Sequence, residues 1–240
     1  MDQAPEKLAV FTKRDGIGWI DLDDGKVNVI SSQMLIDLGD ALDAAEEADG
    51  VVVLRGRPGV FSAGFDMSAL AEVDAASLEL VLGGFRLAAR LLAHPRPVVI
   101  GCTGHAIAMG AFLVLSGDYR VGVEGPAKIA ANEVAIGLTL PRTATEILRS
   151  RLTPAAFQRA ALLAEFFDPG AATDAGFLDE VVAATALDDR LEAIATSLGQ
   201  LDDLAQRETK QRVRAPLLAV LQESIERDAA EHGERLAGLA

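Results

Sequence analysis

The chain has 240 residues, half of them hydrophobic and about a quarter charged, the balance of a globular protein with a sizeable core. A net charge of −14 argues against nucleic acid as a partner, and a single cysteine, Cys102, excludes an internal disulfide. No stretch offers the roughly 18 uninterrupted apolar residues of a membrane span, and the start, MDQAPEKLAVF, lacks the basic residues and apolar run of a secretory signal, so the expected location is cytoplasmic and reducing.

GIGWIDLDD (Gly16 to Asp24) reads as a strand that ends in the turn signal Asp23-Asp24-Gly25. From Ser32 the period changes. Met34, Leu35, Leu38, Leu42 and Ala45 recur at helical spacing, with Ser31 or Ser32 as a cap. VVVLRG (Val51 to Gly56) is a short continuous apolar run, as in a buried strand, and the Gly-rich GRPGVFSAGFD after it reads as a loop. A second helix is predicted from Ala76 to Leu92, ended by Pro95 and Pro97. PVVIGCTG (Pro97 to Gly104) is another buried strand, Met109 to Ser116 a buried helix, and YRVGVE a strand. After Pro141 helices dominate, with few breaks from Asp188 to Leu239. Strands that alternate with helices, followed by helices alone, predict an α/β core with a helical C-terminal part. The expected division is a core over residues 1–187 and a helical region, 188–240, of the same domain.

Two Gly-containing segments each follow a predicted strand: VFSAGFDM (Val60 to Met67) and TGHAIAMGAF (Thr103 to Phe112). Small residues there serve either tight turns and packing or the close approach of a backbone to a ligand. In the second case, two N–H groups converging on one point would form an oxyanion hole.

Three segments together resemble the enoyl-CoA hydratase/isomerase (crotonase) family. FSAGFDM is similar to its Phe-x-Ala-Gly-x-Asp-Leu loop. RPVVIGCTGHAIAMGAFLVLSGDYRV is similar to its second signature, which leads into a Cys-Asp-x-Arg strand. ANEVAIGLTLP is similar to its Pro-Glu-x-x-x-Gly pattern, and GFLDEVV (Gly176 to Val182) resembles a fourth motif in register with the others. The resemblance implies a spiral of ββα units with a helical C-terminal region. It also implies an acyl-CoA or enoyl-CoA thioester as substrate, no cofactor or metal beyond the CoA the substrate carries, and assembly into a homotrimer or a hexamer of paired trimers. An apolar stripe of Leu187, Leu191, Ile194, Leu198 and Leu201 is the surface expected to meet other subunits.

Carried over by position, the oxyanion donors are the N–H groups of Ala63 and Met109, where the family usually has Gly at Ala108 and Met109. The base is Glu133. Hydratases of the family use a second Glu, but its place holds Phe112 here, so a single carboxylate is expected to move a proton between two carbons, as some isomerases of the family do. Apolar neighbours would raise its pKa toward neutrality. Ser62, Ala63, Gly64, Phe65, Asp66, Met67 and Phe112 are expected beside the substrate, with Asp66 chiefly a cap for the next helix. Lys26 and Lys210 resemble basic positions that meet the CoA phosphates. Asp118 and Arg120 resemble a structural pair, and His105 a packed, hydrogen-bonded residue. Arg142 either reshapes the pocket wall or is exposed. Acyl-CoA binding without turnover is the alternative that the loss of the second Glu leaves open.

Overall fold

The computed structural model describes residues 7–72 and 74–239. Strands β1 (Ala9–Arg14) and β2 (Ile17–Leu22) open it as an antiparallel hairpin. Asp15 and Gly16 turn between them, both with positive φ, the conformation that favours an Asp-Gly pair in a two-residue loop.

The chain then winds. Strand β3 (Val29–Ile30) leads to helix α1 (Ser32–Ala48). Strands β4 (Val52–Arg55), β5 (Gly59–Ser62) and β6 (Gly64–Phe65) lead to α2 (Ala75–Ala93). Strands β7 (Val98–Cys102) and β8 (Gly104–Ile107) lead to α3 (Met109–Leu115). Strands β9 (Tyr119–Val123) and β10 (Ile129–Ala130) lead through a 3-10 turn, Glu133–Ile136, to α4 (Arg142–Arg151). Helices α5 (Pro154–Leu163) and α6 (Pro169–Ala175), strand β11 (Glu180–Val182), α7 (Leu187–Leu198) and α8 (Asp203–Leu239) complete the chain. A six-stranded sheet runs β1-β2-β4-β7-β9-β11, and a three-stranded sheet runs β10-β8-β5. Each turn thus leaves one strand in the large sheet and the next in a small one before its helix. This is the ββα spiral expected from the resemblance.

The inner strands of the large sheet, β2, β4, β7 and β9, are buried on both faces, which is why they read as mainly apolar runs. Alternate residues divide between two clusters. Ile20, Val52, Leu54, Val98 and Ile100 join the main core with α1, α2 and α3, while Trp19, Val53, Val99 and Val121 face α7. That second face corrects the expectation for the C-terminal stripe. Leu187, Leu191 and Ile194 are buried within the same chain against the sheet, Leu198 packs beside them, and Leu201 stays exposed.

Helix α8 lies against α2 and α4 and sends Leu221 and Ile225 into the main core. Near its start, Lys210 and Arg214 both pair with Asp118, whose carboxylate also accepts from the N–H of Val98. Arg120 forks onto Asp179 with bonds of 2.9 and 2.8 Å. Asp118 and Arg120 therefore tie the C-terminal helices and β11 to the strand that carries them.

Successive turns approach each other closely. A Cβ on Gly104 would stand 2.0 Å from the backbone of Gly59 on the neighbouring turn. Gly104→Ala is expected to cost about 3 kcal/mol of unfolding free energy. Gly39→Ala, in mid-α1 with nothing within 4 Å of the new atom, is expected to stabilise by about 0.5–1 kcal/mol. Denaturant titration of the two variants checks this contrast.

Candidate active site

A cavity of about 720 Å³ opens between α2, the β6 loop, the start of α3, the segment 132–142 and the far part of α8. Its walls are mainly apolar: Phe65, Leu78, Leu82, Phe85, Ile107 and Leu140 line it.

The β6 loop is held from behind. Ser62 is fully buried, and its Oγ donates to the Asn28 carbonyl at 2.7 Å and accepts from the Gly64 N–H at 3.1 Å. Ser62 therefore fastens the loop and does not line the cavity. The Ala63 N–H donates to the Val27 carbonyl at 3.0 Å, so it is not free to meet a ligand, and its expected role as an oxyanion donor is corrected. Three residues on, the Asp66 N–H donates to the Ile30 carbonyl at 3.2 Å, while the Gly64 N–H between them, at a positive φ that interrupts the strand's alternation, turns to Ser62 Oγ. Adjacent N–H groups on a strand point in opposite directions, so the N–H just before that of Asp66, the one of Phe65, faces away from β3. The sequence gives no sign of this, because a two-residue strand has no readable alternation.

Met109 is the first residue of α3, where an N–H has no acceptor within the helix. The preceding N–H, that of Ala108, donates to the Ala130 carbonyl at 2.8 Å, and those of Ala111 and Phe112 turn back to the Ala108 carbonyl. Gly64 brings the two segments together. Its φ is +90°, and a Cβ there would lie 2.8 Å from the Ile107 carbonyl oxygen, 3.0 Å from the Ala108 Cβ and 3.5 Å from the Met109 nitrogen. The Phe65 and Met109 N–H groups thus belong to adjoining backbone segments. Ala108 holds φ 51°, ψ −120°, a strained conformation for a residue with a Cβ, at the point where the chain turns into α3. The Met109 side chain is fully buried and runs to α2, its sulfur 3.2 Å from where a Cβ of Gly84 would stand. It leaves the cavity clear.

Glu133 lines the cavity from the 3-10 turn and is only 8% exposed. Its Oε2 has no hydrogen-bond partner among the described residues. Burial pushes its pKa up to about 7, with a smaller opposing effect from its own backbone N–H. The other carboxylates on the wall differ. Glu72 is exposed. Asp228 accepts from Thr143 and pairs with Arg142 at 3.1 Å, and Glu231 also pairs with Arg142. Arg142 lines the cavity in this arrangement and joins α4 to α8 across it.

The remaining expected residues lie around this centre. Phe112 stands one layer behind the wall, its ring 5.8 Å from that of Phe85. Met67 is half exposed on the cavity lining. Asp66 is half-buried and accepts from the N–H and hydroxyl of Ser68. The cap of α2 is Asp74, in a reciprocal pair with Ser77, so the capping role expected of Asp66 is corrected. Lys26 is exposed on the loop before β3. Lys210 is corrected as a CoA contact within this chain: it is 8% exposed, paired with Asp118 and bonded to the Arg96 carbonyl. His105 is exposed rather than packed, and its Nδ1 accepts from the Lys128 N–H at 3.1 Å. The buried Cys102 thiol is pushed up to about 12 by desolvation, far from a reactive thiolate.

A carboxylate with a raised pKa weakens folding as pH rises. In the unfolded chain Glu133 ionises near its ordinary value of 4.5, and in the folded chain near 7. The cost is absent below the first value, grows between the two and is complete above the second, at about 3 kcal/mol. Glu133→Gln is therefore expected to be more stable than wild type at pH 8 by up to that amount, and indistinguishable near pH 4. Thermal unfolding at both pH values measures it.

A profile of the enoyl-CoA hydratase/isomerase family matches residues 12–237. A solved enoyl-CoA hydratase of Mycobacterium ulcerans is 45% identical, with a TM-score of 0.90 over 93% of this chain and 99% of that one. A solved Mycobacterium tuberculosis protein, described as an enoyl-CoA isomerase in one structure and as a probable enoyl-CoA hydratase in another, is 43% identical, with a TM-score of 0.90 over 94% of this chain and 99% of that one in the first. Human mitochondrial enoyl-CoA delta isomerase 1 is 30% identical over 164 residues, 65% of this chain and 53% of that protein; the match thus spans about half of the human enzyme's length.

Proposed function

We propose, from the premise that this chain belongs to the enoyl-CoA hydratase/isomerase family, that it acts on acyl-CoA thioesters and shifts a carbon–carbon double bond with Glu133 as its one base. The observation that carries this reading is the unpartnered Glu133 carboxylate, buried in the wall of an apolar cavity and poised near pH 7. A base works best when its pKa lies close to the working pH.

The chemistry follows from charge. The Glu133 carboxylate removes a proton from Cα of a 3-enoyl thioester. The electron pair delocalises onto the thioester oxygen, which the N–H groups of Phe65 and Met109 receive. Fixed donors of this kind do not reorganise as the charge forms, and each is worth about 3 kcal/mol. Protonated Glu133 then returns the proton to Cγ, and the double bond moves into conjugation with the carbonyl. Phe112 brings no second carboxylate, so proton transfer between carbons is favoured over addition of water. The apolar walls suit a fatty acyl chain. Lys26, one residue from the Val27 carbonyl that holds the Ala63 N–H, is the basic group assigned to the CoA phosphates. Assembly into trimers or paired trimers belongs to the same proposal. Exposed apolar residues such as Leu163, Leu204 and Val213 are surface that it would cover, and light scattering at micromolar concentration tests it.

The direct test is conversion of 3-enoyl-CoA to 2-enoyl-CoA. Glu133→Gln is expected to lower kcat by at least about a thousandfold while acyl-CoA affinity stays within a few-fold. Unchanged kcat in folded protein would remove Glu133 from its role. Because the ionised carboxylate is the base, kcat/KM should rise with pH through a midpoint near 7; a flat profile from pH 5.5 to 8.5 would contradict it.

Phe112→Glu is expected to raise the ratio of hydration to isomerisation by restoring a second carboxylate near the first. The ratio is the quantity to read, because burying a carboxylate in place of a ring also lowers stability.

A further inference from the structure

One side of the mainly apolar cavity is charged. The reacting groups stand where β6, the start of α3 and the 3-10 turn meet. Arg142, Asp228 and Glu231 line the cavity elsewhere, where the first turn of α4 meets the far part of α8. Leu78, Leu82, Phe85 and Leu140 are among the apolar residues of the remaining wall.

The charged side is held in place. Asp228 uses both carboxylate oxygens. Its Oδ1 accepts from the Arg142 N–H at 3.2 Å and from Arg142 Nη1 at 3.1 Å, and its Oδ2 accepts from the Thr143 N–H at 3.1 Å and the Thr143 hydroxyl at 3.0 Å. A residue of α8 thus caps α4, and it cannot swing aside without releasing the N–H groups of that first turn. The Asp228 side chain is only 13% exposed. The same Nη1 of Arg142 also pairs with Glu231. Arg142 is therefore a bridge between two walls, anchored on a carboxylate that has its own structural task.

On the reading of the cavity as the acyl-CoA site, CoA lies past Lys26 and Ala63, and the acyl tail runs away from it toward α4 and α8. We propose that Arg142 is a specificity-determining residue that limits the length of the acyl chain. Short of it, each added methylene leaves water for an apolar wall and strengthens binding. At it, the tail meets an ion-paired bridge. A longer tail must strip water from those charges or part α4 from α8, and either costs free energy that a methylene does not return. The stop is chemical as well as steric: it refuses a methyl end and accepts a hydrogen-bonding one.

The test is a ruler of straight-chain 3-enoyl-CoA thioesters of increasing length, turned over by the full chain, with affinities of the saturated acyl-CoAs of the same lengths measured beside it. In wild type each methylene is expected to raise kcat/KM and affinity about threefold up to one length, where the gain stops. Arg142→Ala is expected to move that break to longer chains, so that tails just past the wild-type limit again gain about threefold per methylene. Asp228 keeps its Thr143 bonds in this variant. Arg142→Lys, which retains a cation between the two carboxylates, is expected to keep the break. A wild type whose gain continues into long chains overturns the inference. So does a break left in place by Arg142→Ala, a fall at all lengths alike, which would mark a structural role, or an equal move of the break in Arg142→Lys. A second test needs no mutation. Ending the chain in a hydroxyl should weaken wild-type binding about tenfold for chains short of the break and should not weaken it at the break, where the guanidinium meets the oxygen; equal weakening at both lengths overturns the inference. Absence of turnover and of acyl-CoA binding at every length overturns the parent reading and this one with it, whereas turnover without a break overturns this one alone.

Discussion

The close stacking of successive turns of backbone is the constraint on which the active site depends. Gly104 lies on Gly59, and Gly64 meets the Ile107–Met109 segment at distances that leave no room for a side chain. Gly110 stands against Ser62, where a Cβ would come within 2.5 Å of the carbonyl oxygen. Each contact joins one turn of the spiral to the next. The same approach that closes the core brings the Phe65 strand beside the start of α3, so the proposed donor pair is set by the packing of the fold. Ala108, with its positive φ, carries local strain that the surrounding turns hold in place.

Against this rigid frame, the electrostatics of the site rest on burial. The chain is strongly acidic, yet Glu133 is only about half ionised at pH 7 because burial disfavours its charge. The carboxylates at the cavity rim are exposed or paired, and the one in the apolar wall is neither. Folded stability is lower for it above neutral pH, and that cost is the counterpart of the role proposed for it as a base.

Much of this was legible in the sequence. Strands β2, β4, β7 and β9 and helices α1 to α3 appear as apolar runs or helical spacing, because burial on one or both faces imposes those patterns. The two Gly-bearing segments stand out because each follows a strand, and Glu133 is reached through the family resemblance. What escaped depends on contacts distant in sequence or on directions within very short elements. Strands β3 and β6 have two residues each, too few to show which N–H faces β3, so the resemblance points to Ala63, whose N–H the fold commits to the Val27 carbonyl. Lys210 resembles a CoA contact until α8 folds back and brings it to Asp118. The α7 stripe reads as surface for another subunit until the second face of the large sheet claims it. The Gly83-Gly84 pair inside α2 was the unread signal. Glycine weakens a helix unless something must come close, and here the Leu35, Phe65 and Met109 side chains do.

Gly84 carries a further meaning. It sits on the helix that walls the acyl cavity, and the two side chains nearest to it, Phe65 and Met109, belong to the residues whose backbone N–H groups form the proposed hole. In the proposed function, the surface that meets the acyl chain and the frame that holds the thioester oxygen therefore share one point of contact. Reshaping this stretch of α2 to admit a different chain would press on both donors at once. At this position, chain selectivity and rate are coupled traits, and a lineage changing its substrate would have to alter the wall elsewhere along α2 or accept a slower enzyme.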